Sequence, residues 1–492
     1  MHLTFLNPQG NFDPNDRYWT EHPDFGGQLV YVKEVAIAMA ELGHDVDIVT
    51  RQIIDPNWPE FADSLDQYSH ASRVRIIRIP CGSSGFLRKE DLWSYLGTEW
   101  VPNILDFYRQ EGCHPDAITT HYADGGLCGA LIEQQTGIPF TFTGHSLGAQ
   151  KMDKMHIDSE NLAGFDQRFQ FSKRIVAERI AMNRAARVIV STEMERMEQY
   201  AHTAYRDAVD VHDDGHFSVI PPGVNLRIFD RSVVNAREGE TQAHIERMLE
   251  RDIAPERKQL PVIVSSSRLE AKKNLIGLVE AFAYSQRLQR QANLAIIVRG
   301  MADPLREHSQ LTAGESAILD DVVGKIEKHG LWGKITAFPL NSQTELAAGY
   351  RYLAQRRSVF ALTALYEPFG LAPLEAMAAG LPAVVTKNGG PSESLFDAAT
   401  GTTYGALVDP VCPKDIARGL LEVTGDSQRW RTYHDAGIQR VHDTYTWQRT
   451  AEGYLSVIES ILARREPIPA YFRNPTVGDI STALLASLYL DS

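Results

Sequence analysis

Short apolar, β-branched runs alternate along the whole chain with stretches whose apolar residues recur every three or four positions. Residues 2–6 (HLTFL) are the first such run and predict a strand. Leu29, Val32, Val35, Ala36, Met39 and Leu42 then recur at helical spacing, and Gly43 predicts the helix stop. Strand-like runs follow at 46–50, 74–80, 117–121, 140–143 and 188–191. This alternation predicts α/β layers around a mostly parallel sheet.

VIPPGVN, residues 219–225, interrupts the pattern, and its Pro-Pro-Gly run suits a hinge. A charged helical stretch runs on to about residue 256, and the alternation restarts at 262–266, 294–298, 335–338, 359–363 and 383–386. Two Rossmann-like α/β units of similar size are therefore expected, over 1–222 and 223–450. YTWQRTAEGYLSVIESILARR reads as a helix, and the segment 451–492 is expected to cross back to the first unit. Ligands of such sheets lie beyond the carboxyl ends of the strands. Two such units facing each other would enclose a cleft.

Length and composition narrow the classes. A chain of 492 residues is too long for one hydrophobic core, so two or three domains are expected. A net charge of −14 argues against nucleic-acid and membrane partners. Any phosphate must then meet a local basic cluster. Cys81, Cys113, Cys128 and Cys412 are scattered without a CxxC pair, which fits a reducing compartment and argues against a zinc or disulfide framework. The opening residues lack the basic start and apolar run of a signal peptide, and no segment approaches membrane-span length. A cytoplasmic location is expected.

Several stretches carry candidate chemistry. DFGGQ at 24–28 lies between the first strand and its helix, where glycines let a ligand approach the backbone and the helix start favours an anion. It is not GxGxxG, so a dinucleotide site is not supported. EPFGLAPLEAMAAG places Glu367 in a loop, because Pro368 and Pro373 bar a continuous helix. Pro373 suits a first helical turn and puts Glu375 about a turn inside. Both carboxylates can then line one pocket, with the N–H groups of Gly370, Leu371 and Ala372 meeting a diphosphate. Helix capping alone would explain Glu375 but not the Pro-Phe-Gly run. SSSRLEAKKN brings Arg268 and Lys273 to a strand's carboxyl end, where two cations would neutralise a leaving diphosphate. A solvated basic loop is the plainer alternative.

Two motifs point elsewhere. GHSLG, residues 144–148, matches the GxSxG nucleophile elbow and would make Ser146 an esterase nucleophile, with His434 or His442 as partner. DVDIV at 45–49 resembles a phosphatase or metal-binding acid pair, although its acids begin a predicted strand instead of ending one.

Taken together, NPQGNFDPNDRYWTEHPDFGGQLVYVKE, FTGHSLGAQK, VIPPGVN, SSSRLEAKKN and ALYEPFGLAPLEAMAAGLPAVVTKNGGP resemble, in this order, the retaining GT-B glycosyltransferases of the sucrose-phosphate synthase and sucrose synthase group, within glycosyltransferase family 4. The resemblance covers nearly the whole chain. It implies a GT-B fold and transfer of glucose from UDP-glucose to fructose 6-phosphate, with the acceptor on the first domain and the donor on the second. On the donor side, Glu367, Phe369, Gly370, Leu371 and Ala372 would hold glucose and diphosphate, and Glu375 the ribose. Arg268 and Lys273 would face the diphosphate, Leu340 and Asn341 in the loop 339–341 the uracil, and Gly26 and Gly27 the diphosphate from the first domain. His145 would sit over the sugar. On the acceptor side, Gly26, Gln28, Tyr122 and Ser146 would meet the fructose, and Lys89, Lys151 and Arg174 its phosphate. His145, Arg268, Lys273 and Glu367 would carry the catalysis. With two cations at the diphosphate, no obligatory metal is expected, Mg2+ being at most stimulatory. A separate sucrose-phosphate phosphatase is an expected functional partner. The basic cluster argues for fructose 6-phosphate over the free fructose of sucrose synthase. A sibling transferase using ADP-glucose or GDP-mannose, a nucleotide-sugar sensor and the esterase remain as alternatives.

Overall fold

A computed structural model describes residues 1–9, 12–15, 27–463 and 480–490. The chain divides into two compact units, Met1–Pro221 with Trp447–Ser492, and Pro222–Thr446. The break falls inside VIPPGVN. The second unit is thus inserted in the chain between two segments of the first.

The first unit is built on an eight-stranded sheet. Its strands are β1 (His2–Leu6), β2 (Asp45–Arg51), β3 (Leu65–Gln67), β4 (Val74–Ile79), β5 (Ala117–His121), β6 (Phe140–Thr143), β7 (Arg187–Val190) and β8 (Phe217–Val219), in the order β3-β4-β2-β1-β5-β6-β7-β8. All pairs are parallel except β3 with β4. The chain first extends the sheet from β1 to one side and then restarts at β5 on the other. The β1–β5 boundary is therefore the topological switch point, where a crevice opens beyond the strand ends.

The second unit repeats the plan with β9 (Val262–Ser266), β10 (Asn293–Ile297), β11 (Ile335–Phe338), β12 (Val359–Leu362), β13 (Ala383–Thr386) and β16 (Ala406–Val408) in the order β11-β10-β9-β12-β13-β16, all parallel. A small hairpin, β14 (Phe396–Asp397) with β15 (Thr402–Thr403), precedes the last strand. Here the switch point lies between β9 and β12. The strands are buried on both faces and mostly apolar, with buried threonines among them, as parallel sheets covered by helices require.

The helix Trp447–Ala463 belongs to the first unit. Tyr454, Leu455 and Ile458 are buried in one apolar cluster with Leu29, Val32 and Ala36 of helix Gly27–Glu41, and the Tyr31 hydroxyl donates to the Tyr454 hydroxyl at 3.0 Å. The return begins ahead of position 451, because Trp447 already packs in that cluster. Gly43, at φ +96°, ends the first helix after Glu41.

Candidate functional site

In the second unit the loops after β9 and β12 are stitched together at the switch point. Asn274, at φ +54°, donates its side-chain amide to the Thr363 carbonyl at 3.0 Å and to the Pro410 carbonyl at 2.8 Å. The Leu365 N–H donates to the Lys272 carbonyl at 2.8 Å. This stitching brings the Lys273 ammonium to the Glu367 carboxylate at 2.6 Å. Both side chains are largely buried, so the pair is weakly screened.

The Glu367 loop is gripped from behind by the turn Asn388-Gly389-Gly390. The Glu367 N–H donates to the Asn388 carbonyl at 3.1 Å, and the Gly390 N–H donates to the Glu367 carbonyl at 3.0 Å. Gly389 has φ +95°, and a Cβ there would fall 2.1 Å from the Glu367 carbonyl oxygen. Only glycine allows this approach. Gly370, at φ +93°, then turns the chain into helix Leu371–Ala378, whose first turn has no side-chain cap. Pro373 sits within that turn, and Glu375 one step beyond. No described residue donates to the Glu375 carboxylate, and burial pushes its pKa up to about 7.

Leu340 and Asn341 follow β11. The Asn341 N–H donates to Glu345 at 2.7 Å, its side-chain oxygen accepts from the Gly300 N–H at 2.8 Å, and His244 meets the Pro339 carbonyl at 3.1 Å. With Arg237, His244 and Arg247 these residues line a cavity of about 620 Å³. Neither Glu367 nor Glu375 borders it. Arg268 is placed apart from the Lys273–Glu367 pair: it is 76% exposed and bonds Glu270 at 2.8 Å, as Lys272 does at 2.7 Å.

In the first unit the switch point collects the other set. Gln28, buried at the start of its helix, donates to the Asn7 side chain just beyond β1. Gln9 donates to Asp124, a buried acid whose pKa burial lifts to about 6. Beyond β5, Tyr122 turns the chain at φ +60°. Beyond β6, His145 does so at φ +55°. The His145 ring lies 2.9 Å from His121 Nδ1, stacks on that ring and meets Tyr31 edge-on at a centroid distance of 4.9 Å. Burial holds His145 down to about 3, so it is neutral at physiological pH.

Arg174 comes from helix Phe171–Arg184. Its guanidinium donates to the Ser146 carbonyl and, at 2.9 Å, to Glu178 one turn on. Glu178 also accepts the Gly148 N–H at 2.9 Å and the Tyr205 hydroxyl. Burial opposes the Arg174 charge, and Glu178 more than restores it. Lys151, on helix Gly148–Lys154, holds its ammonium 4.6 Å from the Phe169 ring centre. Its pKa is lowered by burial, by Lys89 and by Arg174, in that order. Lys151 thus feels the charges of Lys89 and Arg174, cations from two other stretches of the chain, as a residue of an anion site does.

The structure therefore groups Lys89, Lys151 and Arg174, joins Arg174 to Ser146, and pairs Lys273 with Glu367. Gly26 lies outside the described residues, and a Cβ built on Gly27, which opens its helix, would meet no described atom within 4 Å. The elbow reading fails on geometry. An elbow strains its nucleophile, whereas here the positive φ belongs to His145 and not to Ser146. His434 binds the Gly380 carbonyl at 2.6 Å and His442 pairs with Asp230 at 2.8 Å, both in the second unit. The acid pair is structural: buried Asp47 takes Arg75 and His2 at 2.7 Å each, while Asp45 meets solvent and Arg73. Sequence reading passed over Asn7, His121, Asp124, Asn274, Glu178 and Gly389. Glu178 stands at i+4 from Arg174, a spacing that becomes a contact only because the structure makes Phe171–Arg184 helical. The others act through contacts between distant loops.

Two family descriptions match the chain: glycosyl transferases group 1 over residues 246–440, and the glycosyl transferase 4-like domain over 26–213. A probable sucrose-phosphate synthase of Thermosipho melanesiensis is 42% identical over 459 residues, covering 93% of this chain and 96% of that one. The plant sucrose-phosphate synthases it matches are longer, and the chain spans about half of their length. Among solved structures, a sucrose-phosphate synthase from Thermosynechococcus elongatus is similar with a TM-score of 0.64 at 24% identity, over 94% of this chain and 99% of that one. Anabaena HepE, solved in complex with UDP and glucose, gives a TM-score of 0.57 at 16% identity, over 94% and 100%. These likenesses show the fold, which is GT-B.

Proposed function

The chain belongs to the sucrose-phosphate synthase family of glycosyltransferases, and from that premise we propose that it transfers glucose from UDP-glucose to the 2-hydroxyl of fructose 6-phosphate. The configuration at the glucose carbon is retained, and the products are sucrose 6-phosphate and UDP. The observation that carries the acceptor assignment is that Lys151 and Arg174 stand on two helices joined through Glu178, with Lys89 near enough for its charge to act on Lys151. Free fructose gives such a cluster nothing to neutralise, whereas a phosphate ester does.

On the donor side, the glucose hydroxyls donate to Glu367 and the ribose hydroxyls to Glu375. The N–H groups of Phe369, Gly370, Leu371 and Ala372 meet the diphosphate with the helix start behind them. Lys273 is held beside Glu367 and stabilises the charge that builds on departing UDP. Arg268 leaves Glu270 to join it. Leu340 and Asn341 take the uracil. On the acceptor side, Gln28, Tyr122 and Ser146 bind the fructose hydroxyls. Neutral His145 donates or accepts a hydrogen bond at the glucose without carrying charge.

In the reaction the bond between the glucose C1 and the β-phosphate oxygen breaks, and a bond from C1 to the fructose O2 forms on the same face. The proton of that hydroxyl passes to the departing phosphate oxygen. Glu367 orients and does not attack. Lys273 and Arg268 supply the cationic charge at the diphosphate, so turnover needs no metal. No described helix is long and apolar enough to cross a membrane. The phosphorylated substrate and product fit a cytoplasmic enzyme coupled to a separate sucrose-phosphate phosphatase.

The test is UDP release from UDP-glucose in the presence of EDTA, with fructose 6-phosphate or fructose as acceptor. Strong preference for the phosphorylated sugar is expected. Preference for free fructose would make the chain a sucrose synthase, and activity with another nucleotide sugar alone would overturn the donor.

A further inference from the structure

The helix Thr482–Tyr489 carries none of the groups used above, yet one end fastens to the helix that presents Lys151 and the other to Asp166 of helix Leu162–Phe169, which in turn holds the start of the Arg174 helix. At one end, the Thr482 hydroxyl donates to Asp166 Oδ2 at 2.6 Å. The other oxygen of that carboxylate accepts the Ser172 N–H at 2.7 Å, in the first turn of the Arg174 helix. Asp166 thereby fixes the junction at Gln170, which bends at φ +54° between Phe169 and Phe171. Those two rings flank the Lys151 ammonium. At the other end, the Tyr489 hydroxyl donates to Asp153 Oδ1 at 2.5 Å, on the helix that bears Lys151. The Tyr489 ring stacks on His202 at 5.6 Å, and His202 reaches the same carboxylate at 3.4 Å. Between the two ends, Leu485 is buried in the apolar cluster that also holds Met152, Phe171 and Ile175.

We propose that this terminal helix is a positioning strap for the acceptor phosphate: by holding Asp153 and Asp166 it fixes the spacing of Lys151 and Arg174 before the anion arrives. Three like charges repel and spread when nothing opposes them. A strap anchored in the core opposes that spreading beforehand, so the phosphate does not have to gather its own ligands. Thr482 and Tyr489 act through other residues and touch no substrate. The proposal rests on the assignment of fructose 6-phosphate as acceptor.

The test is steady-state kinetics on the full chain with Thr482→Val, Tyr489→Phe, their double variant, and Thr482→Ser as the control that keeps the hydroxyl. A lost hydrogen bond to a carboxylate is worth up to about a factor of ten, less for the exposed Tyr489–Asp153 bond than for the part-buried Thr482–Asp166 bond. The double variant should raise KM for fructose 6-phosphate about tenfold or more, leave kcat within about twofold, and leave UDP-glucose affinity unchanged. Thr482→Ser should match the wild type. An unchanged KM for fructose 6-phosphate in a folded double variant overturns the strap. So does a parallel loss of donor affinity and melting temperature, which would mark a merely structural helix. A wild-type chain that ignores fructose 6-phosphate removes the acceptor assignment itself, and the strap with it.

Discussion

Partial burial with no described donor pushes the Glu375 carboxyl up to about 7. Its folded pKa, about 7, stands above the ordinary value of 4.5. The folded state thus holds a proton that the unfolded state gives up. The stability this contributes is complete below the unfolded pKa and is lost as pH rises through about 7. Glu375→Gln should therefore melt above the wild type at pH 8 and match it near pH 4. Ribose hydroxyls that donate to the ionised form should bind more tightly as pH rises. UDP-glucose affinity should increase about tenfold between pH 6 and pH 8, and Glu375→Gln should abolish that slope in isothermal titration. The Lys273–Glu367 pair gives a second expectation. Lys273→Ala should lower kcat by about 10²–10³ and strand a buried carboxylate, destabilising the fold by about 3 kcal/mol. The Lys273→Ala/Glu367→Ala double variant should recover part of that loss in denaturant melts, since the two residues share one interaction. His145, already neutral, should add no inflection to kcat between pH 5 and pH 8.

At the scale of elements, each site is the end of a few strands stitched by their loops. Hydrophobic periodicity placed those strands well: the runs at 2–6, 117–121, 140–143, 262–266, 335–338 and 383–386 coincide with β1, β5, β6, β9, β11 and β13. Such runs are legible because a strand buried on both faces is rich in apolar and β-branched residues, threonine included. The three-residue strands β3, β8 and β16 are too short to show a period, and pairing with a neighbour defines them. The loop chemistry divides in the same way. Pro368 and Pro373 announce where the Glu367 loop ends and its helix begins, because proline acts on its own backbone. The grip of Gly389 on Glu367 is invisible in sequence, because it depends on a residue more than a turn of structure away in the chain. Gly389→Ala should break that grip. With its Cβ driven against the Glu367 carbonyl, the variant should lose UDP-glucose binding at least tenfold by titration. Fructose 6-phosphate binding should stay intact, since the first unit is untouched.

Across the whole molecule, an acidic chain of net charge −14 gathers Lys89, Lys151 and Arg174 on its first unit. The overall charge works against anions, and the local grouping has a cost that Glu178 offsets in part and an anionic ligand would offset further. The sequence places these residues far apart and marks none of them as a ligand by type or spacing. The fold brings them together by packing the helices Gly148–Lys154 and Phe171–Arg184 at one end of the sheet, with Glu178 and Tyr205 locking the junction. On the proposed assignment, the donor set on the second unit would serve either acceptor, and the basic cluster would be what separates fructose 6-phosphate from free fructose. The most direct measurement is the ratio of kcat/KM for fructose 6-phosphate to that for fructose, in the wild type and in a Lys89→Ala/Lys151→Ala variant. The account predicts a wild-type ratio above about 10³, falling at least tenfold per lysine removed through KM for the phosphorylated sugar, with fructose turnover little changed. A ratio near one in the wild type, or one the variant leaves where it was, would contradict it.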